Sequence, residues 1–234
     1  MSIDEALMIF PQKPRGTRRR TKSKILLGEG THEAYLFAAL FRLLGRDNIQ
    51  AATYGGKGNL ARALEALVTL SGDGDLETVG ITRDANGNFG SAWQAAISAL
   101  ENANSALSSM EASLPRFSIP DDRGTFVHGE AIRVGIFIMP DNQSTGMMET
   151  LCLRSVDSRD EMACVEAYFD CLANIDDWSQ RPQGHDKARA HAFLAACDPP
   201  DKHPGAACGD RSTAALWDLE HFALDPLKAF IGDL

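Results

Sequence analysis

The chain has 234 residues, 44% of them hydrophobic and 24% charged, with a formal net charge of −9. That is enough apolar material for one ordinary globular domain with an extension, and too much for wholesale disorder. No apolar run approaches the ~20 residues of a membrane-spanning helix, and no apolar stretch follows the N-terminal charges as a signal peptide would require.

Residues 1–22 form a basic arm. Through Lys24 the chain holds seven basic residues, among them Arg18, Arg19 and Arg20, against two acidic ones. The remainder carries 16 basic and 30 acidic residues. Such an arm reads either as a guide for a phosphate backbone or as a solvated tail.

From residue 23 to about 155, short apolar runs alternate with helical patterns. Lys24–Leu27 predicts a strand ending at Gly28-Glu29-Gly30, followed by a helix over His32–Leu44 with Tyr35, Leu36, Ala39, Leu40 and Leu43 on one stripe. Ile49–Tyr54 predicts a second strand, halted by Gly55-Gly56-Lys57-Gly58, with Asn59 as cap for a helix through Val68. Thr78–Thr82 predicts a third strand, and Ser91–Ala112 a long Ala-rich helix. The stretch 114–131 reads as an irregular excursion or a hairpin. Arg133–Met139 is the strongest strand pattern and runs into Pro140-Asp141-Asn142. Residues 156–234 read as a helical C-terminal extension, with helices through Phe169, over Lys187–Ala196 and near Leu216–Leu224.

This alternation, with apolar runs that do not alternate with polar residues, predicts an α/β fold whose mostly parallel sheet is sandwiched by helices. Ligands of such sheets gather at the carboxyl ends of the strands. Three predicted strands lead there into an acid: Glu29, Asp84 and Asp141. Carboxylates brought together repel unless a cation offsets them. An all-oxygen donor set without a histidine cluster points to magnesium or manganese rather than zinc. Taken singly, each acid also suits a helix cap or a turn.

Gly55, Gly56, Lys57 and Gly58 before a helix could cradle a phosphate, with an ordinary tight turn as the alternative. The spacing is not that of a Walker A loop. Asp84–Asn88 fails as a calcium loop, because Phe89 and Ala95 stand where glycine and glutamate are needed. It matches the phosphatase D-x-D-G-T box only in part. Five cysteines (Cys152, Cys164, Cys171, Cys197, Cys208) form no C-x-x-C pair, so a reducing cytoplasm is expected. Cys197, His203 and Cys208 follow no standard zinc spacing. Trp93, Trp178 and Trp217 read as packing residues.

Gly28-Glu29-Gly30-Thr31-His32-Glu33 and Asp84-Ala85-Asn86 together resemble the Toprim domain of topoisomerases, primases and OLD-family nucleases. The Gly55–Asn59 segment, and Val134–Asn142 followed by Gly146-x-x-Glu149-x-Leu151, are similar to small stand-alone prokaryotic Toprim-like proteins. The resemblance spans about residues 23–155. It implies a Toprim-like, Rossmann-like domain with a magnesium-dependent phosphoryl-transfer centre acting on nucleic acid, DNA or RNA, most simply a nuclease. It makes Glu29 the acid/base or metal-organising carboxylate and Asp84 a ligand. Asn86 stands at the second aspartate of the box, which removes one charge. Asp141 and Glu149 would complete a second metal position. Lys187, on a predicted helix, would offset charge on the transition-state phosphate, with a solvated helix face as the alternative. A non-catalytic metal- or nucleotide-binding module is the competing function, and a small-molecule phosphatase a third. The sequence leaves open a protein partner or a homodimer.

Overall fold

The apolar runs become the strands of one sheet. The computed structural model describes residues 6–8, 19–69, 75–127, 132–175, 185–201, 203–209 and 214–234. Within them lie β1 (Leu7–Met8), β2 (Lys24–Gly28), β3 (Ile49–Thr53), β4 (Thr78–Asp84), β5 (Phe126–Val127) and β6 (Arg133–Met139). Their order across the sheet is β1-β3-β2-β4-β6-β5, and only the β5–β6 pair is antiparallel. The helices are α1 (Thr31–Leu43), α2 (Leu60–Thr69), α3 (Phe89–Met110), α4 (Met148–Arg154), α5 (Asp160–Ala173), α6 (His185–Ala196) and α7 (Asp225–Asp233). This is a Rossmann-like α/β architecture, as the alternation predicts.

Strand alternation divides the core in two. Ile25, Leu27, Val79, Ile81, Val134, Ile136 and Ile138 join the inner faces of α2 and α3. Leu26, Phe137 and Met139 join α1 and the helices from α4 to α7. The described residues of 156–234 therefore pack with α1 and α4 in one covering layer of the sheet, and Leu153 and Val156 belong to the same cluster. Gly80 admits α7 to that face: a Cβ there would lie 2.5 Å from Leu234 Cδ1 and 3.2 Å from the Phe230 ring.

Several expectations change. The last helix is not at 216–224, where turns and a 3-10 turn (Phe222–Leu224) lie, but at α7. Pro226 opens it, in a first turn where the missing N–H costs nothing. Trp217 instead pins the preceding loop, donating its indole N–H to the Pro204 carbonyl at 2.8 Å and stacking on Phe193. Leu43, expected on the buried stripe of α1, is 42% exposed, whereas Phe37, Ala38 and Phe41 are buried. The 203–209 loop closes over that helix, with Arg42 donating to the Gly209 carbonyl at 2.7 Å.

The basic arm is not a free tail where it is described. Leu7–Met8 pairs with Ala52–Thr53, and Leu7 is fully buried. The Gln50 amide accepts from the Thr21 N–H and donates to the Arg19 carbonyl, at 2.8 and 3.2 Å. Arg20 is only 6% exposed, so its guanidinium is not offered to a nucleic acid. Arg19 is exposed; Arg18 lies outside the described residues, as does Trp178.

Candidate functional site

The chain passes from β2 to β3 on one side, then returns across β2 to place β4 on the other. The sheet order therefore reverses between β2 and β4, the position at which open α/β sheets bind ligands beyond their carboxyl ends. Glu29 follows β2 and Asp84 ends β4, so both acids stand at this switch point.

Two further carboxylates join them. Gly28 lets α1 start against the strand end, since a Cβ there would lie 2.6 Å from Glu33 Cβ. Glu33, in the first turn of α1, accepts from the Gly30 N–H through Oε2 at 3.0 Å, one half of a capping box. Asp84 Oδ1 accepts from the Met148 N–H at 3.1 Å and so caps α4 across the fold. The next residue, Glu149, is thereby brought in and is 6% exposed. Lys187 on α6 extends its ammonium to 4.0 Å from Glu149 Oε1.

These acids act on one another. Burial, then the charge of Asp84 and, less strongly, of Glu29 and Glu149, raise the Glu33 carboxyl to about 8. Burial, then Glu149 and Glu29, raise Asp84 to about 7, against the pull of the Met148 N–H and of Lys187. Glu29 Oε2 is buried with no hydrogen-bond partner, a costly state for a carboxylate oxygen. Among the described residues, no three His, Cys, Asp or Glu side chains stand close enough together to ligate one ion. The carboxylates thus share a neighbourhood and a field without being closed on a common point.

Asp141 stays outside this group. Its carboxylate accepts from the backbone N–H groups of Gln143 and Ser144, from the Ser144 hydroxyl, and from Arg154 at 2.6 Å. Burial opposes its charge, but the Ser144 and Arg154 hydrogen bonds prevail and lower its pKa to about 2. It organises a turn, the alternative its local sequence also allowed. Asn86 adopts a left-handed backbone (φ 50°) and exchanges backbone hydrogen bonds with Gly146. Its side-chain NH₂ turns back to donate to the Asp84 carbonyl at 3.1 Å.

The glycine loop abuts Glu29. Gly55 and Gly56 take φ of +68° and +112°, and the Gly56 N–H donates to the Glu29 carbonyl at 3.1 Å. Lys57–Asn59 is a 3-10 turn leading into α2. Asn59 does not cap the helix by accepting an N–H; its side chain donates to the Gly55 carbonyl at 2.8 Å and braces the loop. A Cβ at Gly56 or Gly58 would meet nothing within 4 Å, so the loop's outer side is open.

The role of Glu33 was missed. It lies within the segment that resembles the glutamate box, and its Gly30-x-x-Glu33 spacing is a helix-start signal that assigns it a cap and nothing more. The Thr150 hydroxyl accepts from the Met147 N–H at 3.0 Å and donates to Asp186, tying α6 to α4; no local pattern announces such a tie. Cys197 and Cys208 are buried thiols, the latter pushed up to about 12 by burial. Among the described residues no helix is long and apolar enough to cross a membrane.

Residues 23–234 match the family described as “Protein of unknown function (DUF3226)”. No curated protein and no solved structure matches the chain.

Proposed function

The chain belongs to the DUF3226 family, and we propose that it is a magnesium- or manganese-dependent phosphoryl-transfer protein acting on nucleic acid, a nuclease with a Toprim-type centre. The observation that carries this reading is the convergence of Glu29, Glu33, Asp84 and Glu149 on one switch point, with an oxygen of Glu29 buried and unpartnered. The donor set is entirely oxygen and overloaded with negative charge, which suits a hard divalent cation.

Glu29 and Asp84 would hold the cation, with Glu149 adding its charge beside Asp84; when bound, the cation would supply positive charge to the transferring phosphoryl group. Glu33 keeps its proton up to about pH 8, so its carboxyl can hold or pass a proton beside the ligands. Lys187, 57% exposed and 4.0 Å from Glu149, would offset charge on a phosphate entering from solution. The open glycine loop with Lys57 offers a phosphate contact beside Glu29. All five cysteines are free thiols, which agrees with a reducing cytoplasm.

The test is cleavage of plasmid and single-stranded DNA or RNA with magnesium or manganese. Cleavage is expected, and Glu29→Ala and Asp84→Ala should each abolish it; cleavage surviving both substitutions would refute the assignment. Asn86 favours a second reading, a cation- or nucleotide-binding module without turnover, because its amide is turned away onto the Asp84 carbonyl. Cation binding without cleavage by the natural protein, with cleavage gained in Asn86→Asp, would establish that reading.

A further inference from the structure

The last two residues of β4 carry opposite charges to opposite faces. Val79 and Ile81 pack into the α2–α3 side of the core, so the alternation sends Arg83 to that side and Asp84 to the other. The Arg83 guanidinium extends over the glycine loop, its Nη1 3.5 Å from the Lys57 carbonyl. It also acts on the buried Tyr54 phenol, opposing the effects of burial and of Glu29. Arg83 thus reaches the glycine loop, while Asp84 faces the other acids across the sheet.

Among the described residues, Arg83 makes no ion pair, as Arg116, Arg123 and Arg133 make none; what sets it apart is its place at the glycine loop, against the Lys57 carbonyl. Arg154, Arg159, Arg189, Lys187 and Lys228 all stand within 4.0 Å of a carboxylate. Among the described residues, Lys57 makes no ion pair either. Two cations held unpaired beside an open glycine turn are a complement for an anion. The planar fork of arginine matches two oxygens of one phosphate, and lysine adds a point charge.

We propose that Arg83 and Lys57 form a phosphate subsite on the α2–α3 side of the switch point, seating a phosphate group of the substrate next to the carboxylates. This rests on the phosphoryl-transfer reading for its purpose, but not for its chemistry. The subsite neutralises the non-bridging oxygens from one side, while the carboxylates lie on the other. Substrate phosphate is thereby drawn to a sheet edge that is otherwise strongly negative.

The experiment measures binding of a fluorescein-labelled single-stranded oligonucleotide by anisotropy over a salt series, with calcium replacing magnesium to prevent turnover. Competition by inorganic phosphate is measured in parallel. Arg83→Gln should weaken oligonucleotide binding about tenfold and reduce the log–log salt slope by about 0.7, the increment for one single-strand phosphate contact. Lys57→Ala, at an exposed position, should act in the same direction. Arg83→Lys should recover the slope but not the full affinity. Arg116→Gln, whose side chain holds the Leu114 carbonyl well outside this loop, should change neither. Weaker competition by inorganic phosphate in Arg83→Gln would identify a site for free phosphate as well as for a strand. Unchanged slope, affinity and competition in both Arg83→Gln and Lys57→Ala would overturn the proposal. Manganese binding should be retained in Arg83→Gln. Loss of the slope in a protein that binds no manganese would leave the subsite standing and remove the phosphoryl-transfer reading; the converse would remove only the subsite.

Discussion

Glu33→Gln isolates the electrostatic strain in the site. In the unfolded chain this carboxyl releases its proton near 4.5, and in the folded protein not until about 8. The folded state therefore holds more protons between those values. The stability this contributes is fully present below about 4.5 and is lost as pH rises through 8. A displacement of that size corresponds to at most about 5 kcal/mol. Asp84, moved from 3.8 to about 7, acts with the same sign, and because the two repel one another their effects overlap rather than add. Glutamine keeps an oxygen for the Gly30 N–H and removes the charge. Urea unfolding in EDTA should give the parent and Glu33→Gln nearly equal stability at about pH 5, and should favour the variant by roughly 2–4 kcal/mol at about pH 9. Stability curves that stay parallel across this range would refute the claim that Glu33 sits among uncompensated carboxylates.

Four further outcomes are expected. Asp141→Asn should cost about 1 kcal/mol at neutral pH, after allowance for solvent screening, an effect that fades as pH falls through about 2; thermal melts check this. Thr150→Val should destabilise by about 1–2 kcal/mol and speed amide exchange in α6, whereas Thr150→Ser should preserve both, since the hydroxyl tie to Met147 and Asp186 survives. Gly80→Ala should cost about 1–3 kcal/mol by pushing Leu234 and Phe230 off the sheet, visible as a lower Tm. Magnesium should raise Tm more at pH 9 than at pH 6, because binding must displace protons held by Asp84 and Glu33.

The sheet and its flanking helices were legible because apolar runs and glycine stops are local signals, and β2, β3, β4 and β6 fall where those runs lie. Glu29 and Asp84 were legible for the same reason: each is attached to a strand end, and topology carries strand ends to one edge. Glu149 was marked by its spacing from Gly146 within the resemblance. Asp141 misled because a strand-end acid and a turn-forming acid look alike until Ser144 and Arg154 are in place. The part played by Glu33 depends most on burial and on Asp84, with Glu149 also distant in sequence, so the local spacing to Glu29 does not express it. Arg20 looked like part of a charged tail; it is buried where the Gln50 amide holds the backbone on either side of it, contacts no charge count contains.

In the proposed centre Glu29 and Asp84 would jointly hold a divalent cation, and Asp141 would not. Calorimetric titration of manganese into the parent protein, Glu29→Gln, Asp84→Asn and Asp141→Asn tests it most directly. Binding by the parent and by Asp141→Asn, weakened at least tenfold in the other two, is the predicted result. Equal binding by all four proteins, or none by the parent, would contradict it.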